Sequence, residues 1–237
     1  GLKPAGVRRA LEKGARLIVT VDNGISAFEA IDEATKTGVD VIVVDHHQQL
    51  DALPAAHSVI NPNRVDCPYP FKGLAGVGVT FKLVQALSAR IEPDGDRRQY
   101  LNGLLDLVAL GTVADVMPVL GENRALIQRG FKILENTRRP GLRHLRDSAG
   151  CGAGPITATA IGFYLGPRIN VAGRLASPDK ALQLLRCDRE SEAALLAEEL
   201  NQLNAERQQL QRQGLGEADD LVSADDLETD HIIILLG

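Results

Sequence analysis

The 237-residue sequence has only three cysteines, Cys67, Cys151 and Cys187, and they stand far apart. An odd count with no Cys-x-x-Cys pair argues against a disulfide framework or a zinc knuckle, so these are ordinary thiols. Apolar runs long enough to cross a bilayer are absent, as is a secretory signal pattern, and a cytoplasmic protein is expected. A basic excess is missing too: the formal net charge is −5, unlike that of a general nucleic-acid binder. Charge is nonetheless uneven. Glu217 to Asp230 holds seven acids and no Lys or Arg, which suits an exposed connection. Glu122 to Asp147 holds Arg124, Arg129, Lys132, Arg138, Arg139, Arg143 and Arg146 against three acids. That run is either a surface that follows a nucleic-acid backbone or the solvated face of two helices. With 44% hydrophobic residues, the chain can bury a core for one large domain plus an extension.

The chain does have apolar runs that end in acids. Val39 to Val44 runs straight into Asp45-His46-His47. Short valine- and isoleucine-rich runs read as buried strands of a parallel sheet, and ligands bind at the carboxyl ends of such strands. One carboxylate and two imidazoles there are half of a divalent metal site, or a polar cap on a strand. Upstream, Ala15 to Val21 is a second apolar run that ends in Asp22-Asn23-Gly24. Between the runs, Ser26 to Thr37 is predicted as a helix capped by Ser26 with Glu29 and closed by Gly38. A parallel strand-helix-strand crossover puts both strand ends on one edge, so Asp22 and the Asp45 cluster are expected to be neighbours. A third acid, Asp115, follows a helical pattern from Tyr100 to Val113 and precedes Met117-Pro118, where a helix must stop. A carboxylate at a helix C-terminus is disfavoured unless a cation offsets it.

Further along, Ile156 to Leu165 is predicted as a helix followed by a loop, Gly166 to Arg174, in which Arg168 and Arg174 flank Asn170. Guanidinium groups suit phosphates; a tight turn with arginines paired to acids is the alternative. Ser177-Pro178 opens a helix that ends at Cys187-Asp188. Glu190 to Gly214 then reads as one long helix with Leu195, Leu196, Leu200, Leu203 and Leu210 on a stripe and a very polar far end, which suits a helix bridging two domains.

Taken in order, Thr20-Val21-Asp22-Asn23-Gly24, Asp45-His46-His47 and Gly111-Thr112-Val113-Ala114-Asp115 resemble successive motifs of the DHH phosphoesterase superfamily. Val59-Ile60-Asn61-Pro62-Asn63, Cys67 to Lys72, Leu74 to Val79 and Gly166 to Arg174 are similar to its RecJ branch, the single-strand-specific bacterial exonucleases. The resemblance covers nearly the whole chain. It implies an α/β fold with a mostly parallel sheet, a helical portion from about residue 76, and a long linker helix. The expected divisions are a partial catalytic domain over 1–187, the linker over 188–216, and over 217–237 an acidic connection with a strand, His231 to Leu236, opening a DHHA1-type domain. The family's aspartate-rich first motif is not found before Asp22, so the chain reads as an internal piece of a longer enzyme, inactive by itself.

The activity implied is processive hydrolysis of single-stranded DNA from its 5′ end with two divalent ions, manganese or magnesium. The resemblance gives Asp22, His46 and Asp115 as metal ligands. Asp45 would ligate or orient from close by, His47 would contact the scissile phosphate, and Arg168 and Arg174 would bind DNA with Asn170 as orienter. Single-strand-binding protein and a helicase are the implied protein partners. A superfamily phosphodiesterase for cyclic dinucleotides or short oligonucleotides, a pyrophosphatase, and a non-catalytic replication scaffold are the competing readings.

Overall fold

Alternating valine and isoleucine build three short strands, β1 (Leu17–Val21), β2 (Asp40–Val44) and β3 (Ser58–Ile60). They form one parallel sheet in the order β1-β2-β3, with Val21 opposite Val44 and Val44 opposite Ile60. The computed structural model describes residues 1–92, 97–152 and 154–221. Among these, two units separate: residues 1–137 with 154–162, and residues 138–152 with 163–221.

In the first unit, helices α1 (Pro4–Glu12) and α2 (Phe28–Lys36) cover one face of the sheet. Val7, Ala30, Ile31 and Ala34 pack there against Val41 and Val43. Ile31 is fully buried, a contribution of about 1.5–3 kcal/mol. On the other face, Val44 packs with Leu74 and with Val79 of α3 (Gly76–Ile91). Phe81 of α3 continues the core to Leu105 and Val108 of α5 (Leu105–Ala114), which follows the short α4 (Arg97–Asn102). Helix α6 (Gly121–Glu135) lies so close to α5 that a Cβ on Gly130 would sit 2.2 Å from Leu105 O.

The second unit is helical. Around Leu142, Leu145, Val171, Ala172, Leu184 and Leu200, all fully buried, pack α7 (Pro140–Ser148), α8 (Gly166–Leu175), α9 (Asp179–Arg186) and α10 (Glu190–Leu221).

Several boundaries differ from those the sequence suggests. Helix α2 begins at Phe28, with Ala27 at its cap and no side-chain cap bond; the Ile25 N–H turns away to Asp45 instead. The Tyr100–Val113 pattern breaks at Gly103 into α4 and α5. Gly166 to Arg174 is not a loop: a π-helical turn, Ala160–Leu165, runs directly into α8, because proline is tolerated in a first helical turn. Helix α10 continues to Leu221, past the expected end of the linker. It buries Ala193, Ala197, Leu200 and Asn204 while Leu195 and Leu210 are exposed, so its near half is packed within the second unit. The acidic stretch beyond Leu221 and the strand at His231 to Leu236 lie outside the described residues.

Candidate metal centre

The ladder runs one residue past each strand. The Asp22 N–H donates to Val44 O at 2.9 Å and the Asp45 N–H to Ile60 O at 3.0 Å. Both acids therefore stand at the carboxyl ends of neighbouring strands, as the crossover requires. Asp22 then leaves the strand in left-handed backbone, φ 62°, a conformation that clusters at functional sites in non-glycine residues. Its carboxylate lies against the first residue of α3, where a Cβ on Gly76 would be 2.1 Å from Asp22 Oδ1. Only glycine lets that helix start come so near. Asp115 caps the C-terminus of α5, and Val116 after it has φ 55°.

Three expected ligands converge. His46 Nε2 is 3.0 Å from Asp22 Oδ1 and 3.5 Å from Asp115 Oδ2. His46 is buried and both carboxylates are half exposed. His47 joins the group, since ligand atoms of Asp22, His46 and His47 all lie within 4.8 Å of one another. This oxygen-and-imidazole set fits manganese or magnesium better than a thiolate-seeking ion, and the glycine-lined approach at Asp22 keeps room for it.

Asp45 is placed differently. It is fully buried and saturated by protein donors: Ile25 N–H on Oδ2 at 2.9 Å, and on Oδ1 the N–H groups of His46 at 2.7 Å and His47 at 3.2 Å. His47 Nδ1 also reaches Oδ1 at 2.7 Å. A carboxylate accepts, so the ring donates from Nδ1 and turns Nε2 outward. Two further residues complete the frame: Asn61 Nδ2 donates to His47 O at 2.9 Å, and Asn63 Nδ2 donates to His46 O.

The electrostatics follow from these contacts. Burial pushes Asp22 up; His46 and His47 oppose this, while Asp115 and Asp45 reinforce it. Burial is thus a larger cause of the Asp22 shift than its crowding against Asp115 and Asp45. Burial also works upward on Asp45, but the Ile25 N–H, the His47 ring and the His46 and His47 N–H groups together hold it below the usual carboxylate range. The hydrogen bond that the His47 ring donates to Asp45 raises His47, against a smaller effect of burial.

The residues expected on DNA lie on α8 in the second unit. Arg168 is partly buried and committed, with Nε donating to Asn201 Oδ1 at 3.1 Å and Nη1 to Tyr164 O at 2.8 Å. Asn201, rather than Asn170, thus orients it. Asn170 and Arg174 are exposed. Sequence reasoning gave no role to Ile25, Asn61, Asn63 or Gly76. The doubled glycine at a helix start and the Asn-Pro-Asn after β3 were the available signals.

Residues 3–112 match the DHH family, N-terminal domain. The chain is 47% identical over 219 residues to the single-stranded-DNA-specific exonuclease RecJ of Escherichia coli (strain K12), covering 90% of this chain and 38% of that protein. It is 46% identical over 218 residues to RecJ of Dickeya dadantii (strain 3937), covering 89% of this chain and 38% of the relative. The structure superposes on RecJ in complex with Mn2+ from Thermus thermophilus with a TM-score of 0.80 at 35% identity, over 93% of this chain and 32% of that one. Residues 3–112 thus carry the pattern of the DHH family's N-terminal domain. Over most of this chain, sequence and fold are similar to those of RecJ proteins. The chain spans 38% of the length of these two curated relatives.

Proposed function

We propose that this chain is the metal-holding part of an exonuclease that hydrolyses single-stranded DNA from the 5′ end. The observation that carries the reading is the convergence of Asp22, His46 and Asp115 from two strand ends and one helix end. These three would hold a manganese or magnesium ion, with His47 beside them. When bound, such an ion supplies Lewis-acid polarisation of a phosphodiester and acidifies a water. Asp45 fixes the His47 tautomer and raises its basicity, so that Nε2, as a cationic donor, can meet a phosphate oxygen. Asn170 and Arg174 on α8 are exposed for backbone phosphates, and Arg168 stiffens that helix against α10 while offering its charge. Single-stranded DNA is the substrate, with a single-strand-binding protein and a helicase working on the same strand in the cytoplasm. No described helix is long and apolar enough to cross a membrane. The cluster among the described residues suffices for one ion, and a second would need further ligands, so this chain alone binds manganese weakly and turns over DNA only negligibly.

The test uses the native gene product with manganese and three substrates: 5′-phosphorylated single strands, duplex DNA and a cyclic dinucleotide. Mononucleotides released from the 5′ end of the single strand are expected, with a loss of about 100-fold or more in Asp22→Ala. Preferred cleavage of the cyclic dinucleotide, or undiminished activity in Asp22→Ala, would overturn the reading.

A further inference from the structure

The loop after β2 carries both imidazoles yet lies outside regular secondary structure, so something other than a helix or sheet ladder must fix it. On its amide side Asp45 does this, accepting the N–H groups of His46 and His47. On its carbonyl side the partners come from the turn that follows β3. Asn61 Nδ2 donates to His47 O at 2.9 Å, Asn61 Oδ1 accepts the Asn63 N–H at 2.7 Å, and Asn63 Nδ2 donates to His46 O. Asn61 is 3% exposed, and buried carbonyls without donors are costly. The turn is itself tied down: Lys72 Nζ donates to Pro62 O at 2.6 Å and to Cys67 O at 2.7 Å, and Arg64 Nη1 to Val59 O at 2.6 Å.

We infer that Asn61 and Asn63 are positioning residues, a two-amide grip on the carbonyls of His46 and His47 that sets the aim of both imidazoles at the ion and the phosphate. The inference rests on the metal-site reading for its consequence, but the grip itself belongs to the metal-free chain. One asparagine could serve a single carbonyl by chance. Two that address successive carbonyls, joined to each other by a hydrogen bond, lock the peptide plane between the two histidines. Rotation of that plane would swing His46 Nε2 away from Asp22 and Asp115.

The experiment takes the 237-residue chain as wild type, Asn63→Ala and the isosteric Asn61→Asp. Long-range nitrogen–proton spectra of the histidine rings are recorded without metal, and manganese binding is followed by electron paramagnetic resonance. Asn63 is only partly buried, so Asn63→Ala should keep its fold and its thermal midpoint. Expected are a fixed Nδ1–H pattern for His47 in wild type, averaged ring signals in both variants, and manganese affinity lowered about 10-fold or more. Unchanged ring signals in folded Asn63→Ala would overturn the grip. If the ring signals average as expected but wild type takes up no manganese, the grip stands and the metal reading falls.

Discussion

At the scale of single residues, the centre is built on backbone conformations that side chains seldom adopt. Asp22 and Val116 are the described non-glycine residues with positive φ, and each sits at or beside a carboxylate of the cluster. Such strain costs on the order of 1–3 kcal/mol and persists only where surrounding contacts impose it. At Asp22 the imposing contacts are the Val44 carbonyl and the start of α3, whose positive end favours the carboxylate. Gly76 makes that approach possible, which leads to a test. A Cβ at this position would fall 2.1 Å from Asp22 Oδ1 and 2.6 Å from its Cγ, so Gly76→Ala must displace the carboxylate. Alanine is otherwise the better helix former by about 1 kcal/mol. Manganese affinity of Gly76→Ala should therefore fall by about 10-fold or more while helix content is kept, as measured by calorimetric titration beside circular dichroism. Wild-type affinity in a folded variant would mean that Asp22 is not a ligand.

At the scale of elements, the strand ends were legible and the helix ends were not. An apolar run stopping at an acid is a local signal, and it located Asp22 and Asp45 because the parallel pairing of β1 with β2 follows from the crossover alone. Helix limits depended on distant partners: Asp45 draws off the Ile25 N–H and delays α2, and Pro167 begins a helical turn rather than a loop. Another contact of this long-range kind joins two helices and the loop after β3. Glu122 of α6 accepts the Tyr69 hydroxyl at 2.6 Å and pairs with Lys82 of α3. Burial works upward on Glu122, yet Lys82 and Tyr69 hold it below the usual glutamate range. The folded state thus favours the ionised form. Its contribution is complete above the ordinary glutamate value and is lost as pH falls through the lower, folded one. Lys82, raised by Glu122 against burial, gives the opposite limb: its contribution is lost only as pH rises through its raised value. Glu122→Gln should cost about 1 kcal/mol at neutral pH. Urea unfolding below pH ~4 should show that difference shrinking. A constant difference across the acid range would remove Glu122 from the account.

At the scale of the whole molecule, motif order pointed to the candidate centre because Asp22, His46, His47 and Asp115 all fall in the first unit, around a sheet whose topology the sequence dictates. The arginines of α8 were harder to assign, since they belong to a second, helical unit and one of them is spent on Asn201 and Tyr164. The sheet also leaves an apolar surface that no motif announces. Among the described residues strand β1 is an edge of the sheet, and Leu17, Val19 and Val21 point to one face at 51%, 46% and 45% exposure. The neighbouring part of that face, Val44 with Ile42 and Ile60, is covered by Leu74 and α3. An uncovered valine-rich edge of this kind templates pairing with another chain. The 237-residue chain is therefore expected to self-associate as its concentration rises. Val19→Lys puts a charge in the middle of the row without touching the buried face that holds Val41, Val43 and Ile31, so it should shift the chain toward monomer in sedimentation velocity. Thermal stability and manganese affinity should be unchanged, because Asp22 keeps its bond to Val44 O. Equal association in Val19→Lys and wild type would place the sticking surface elsewhere.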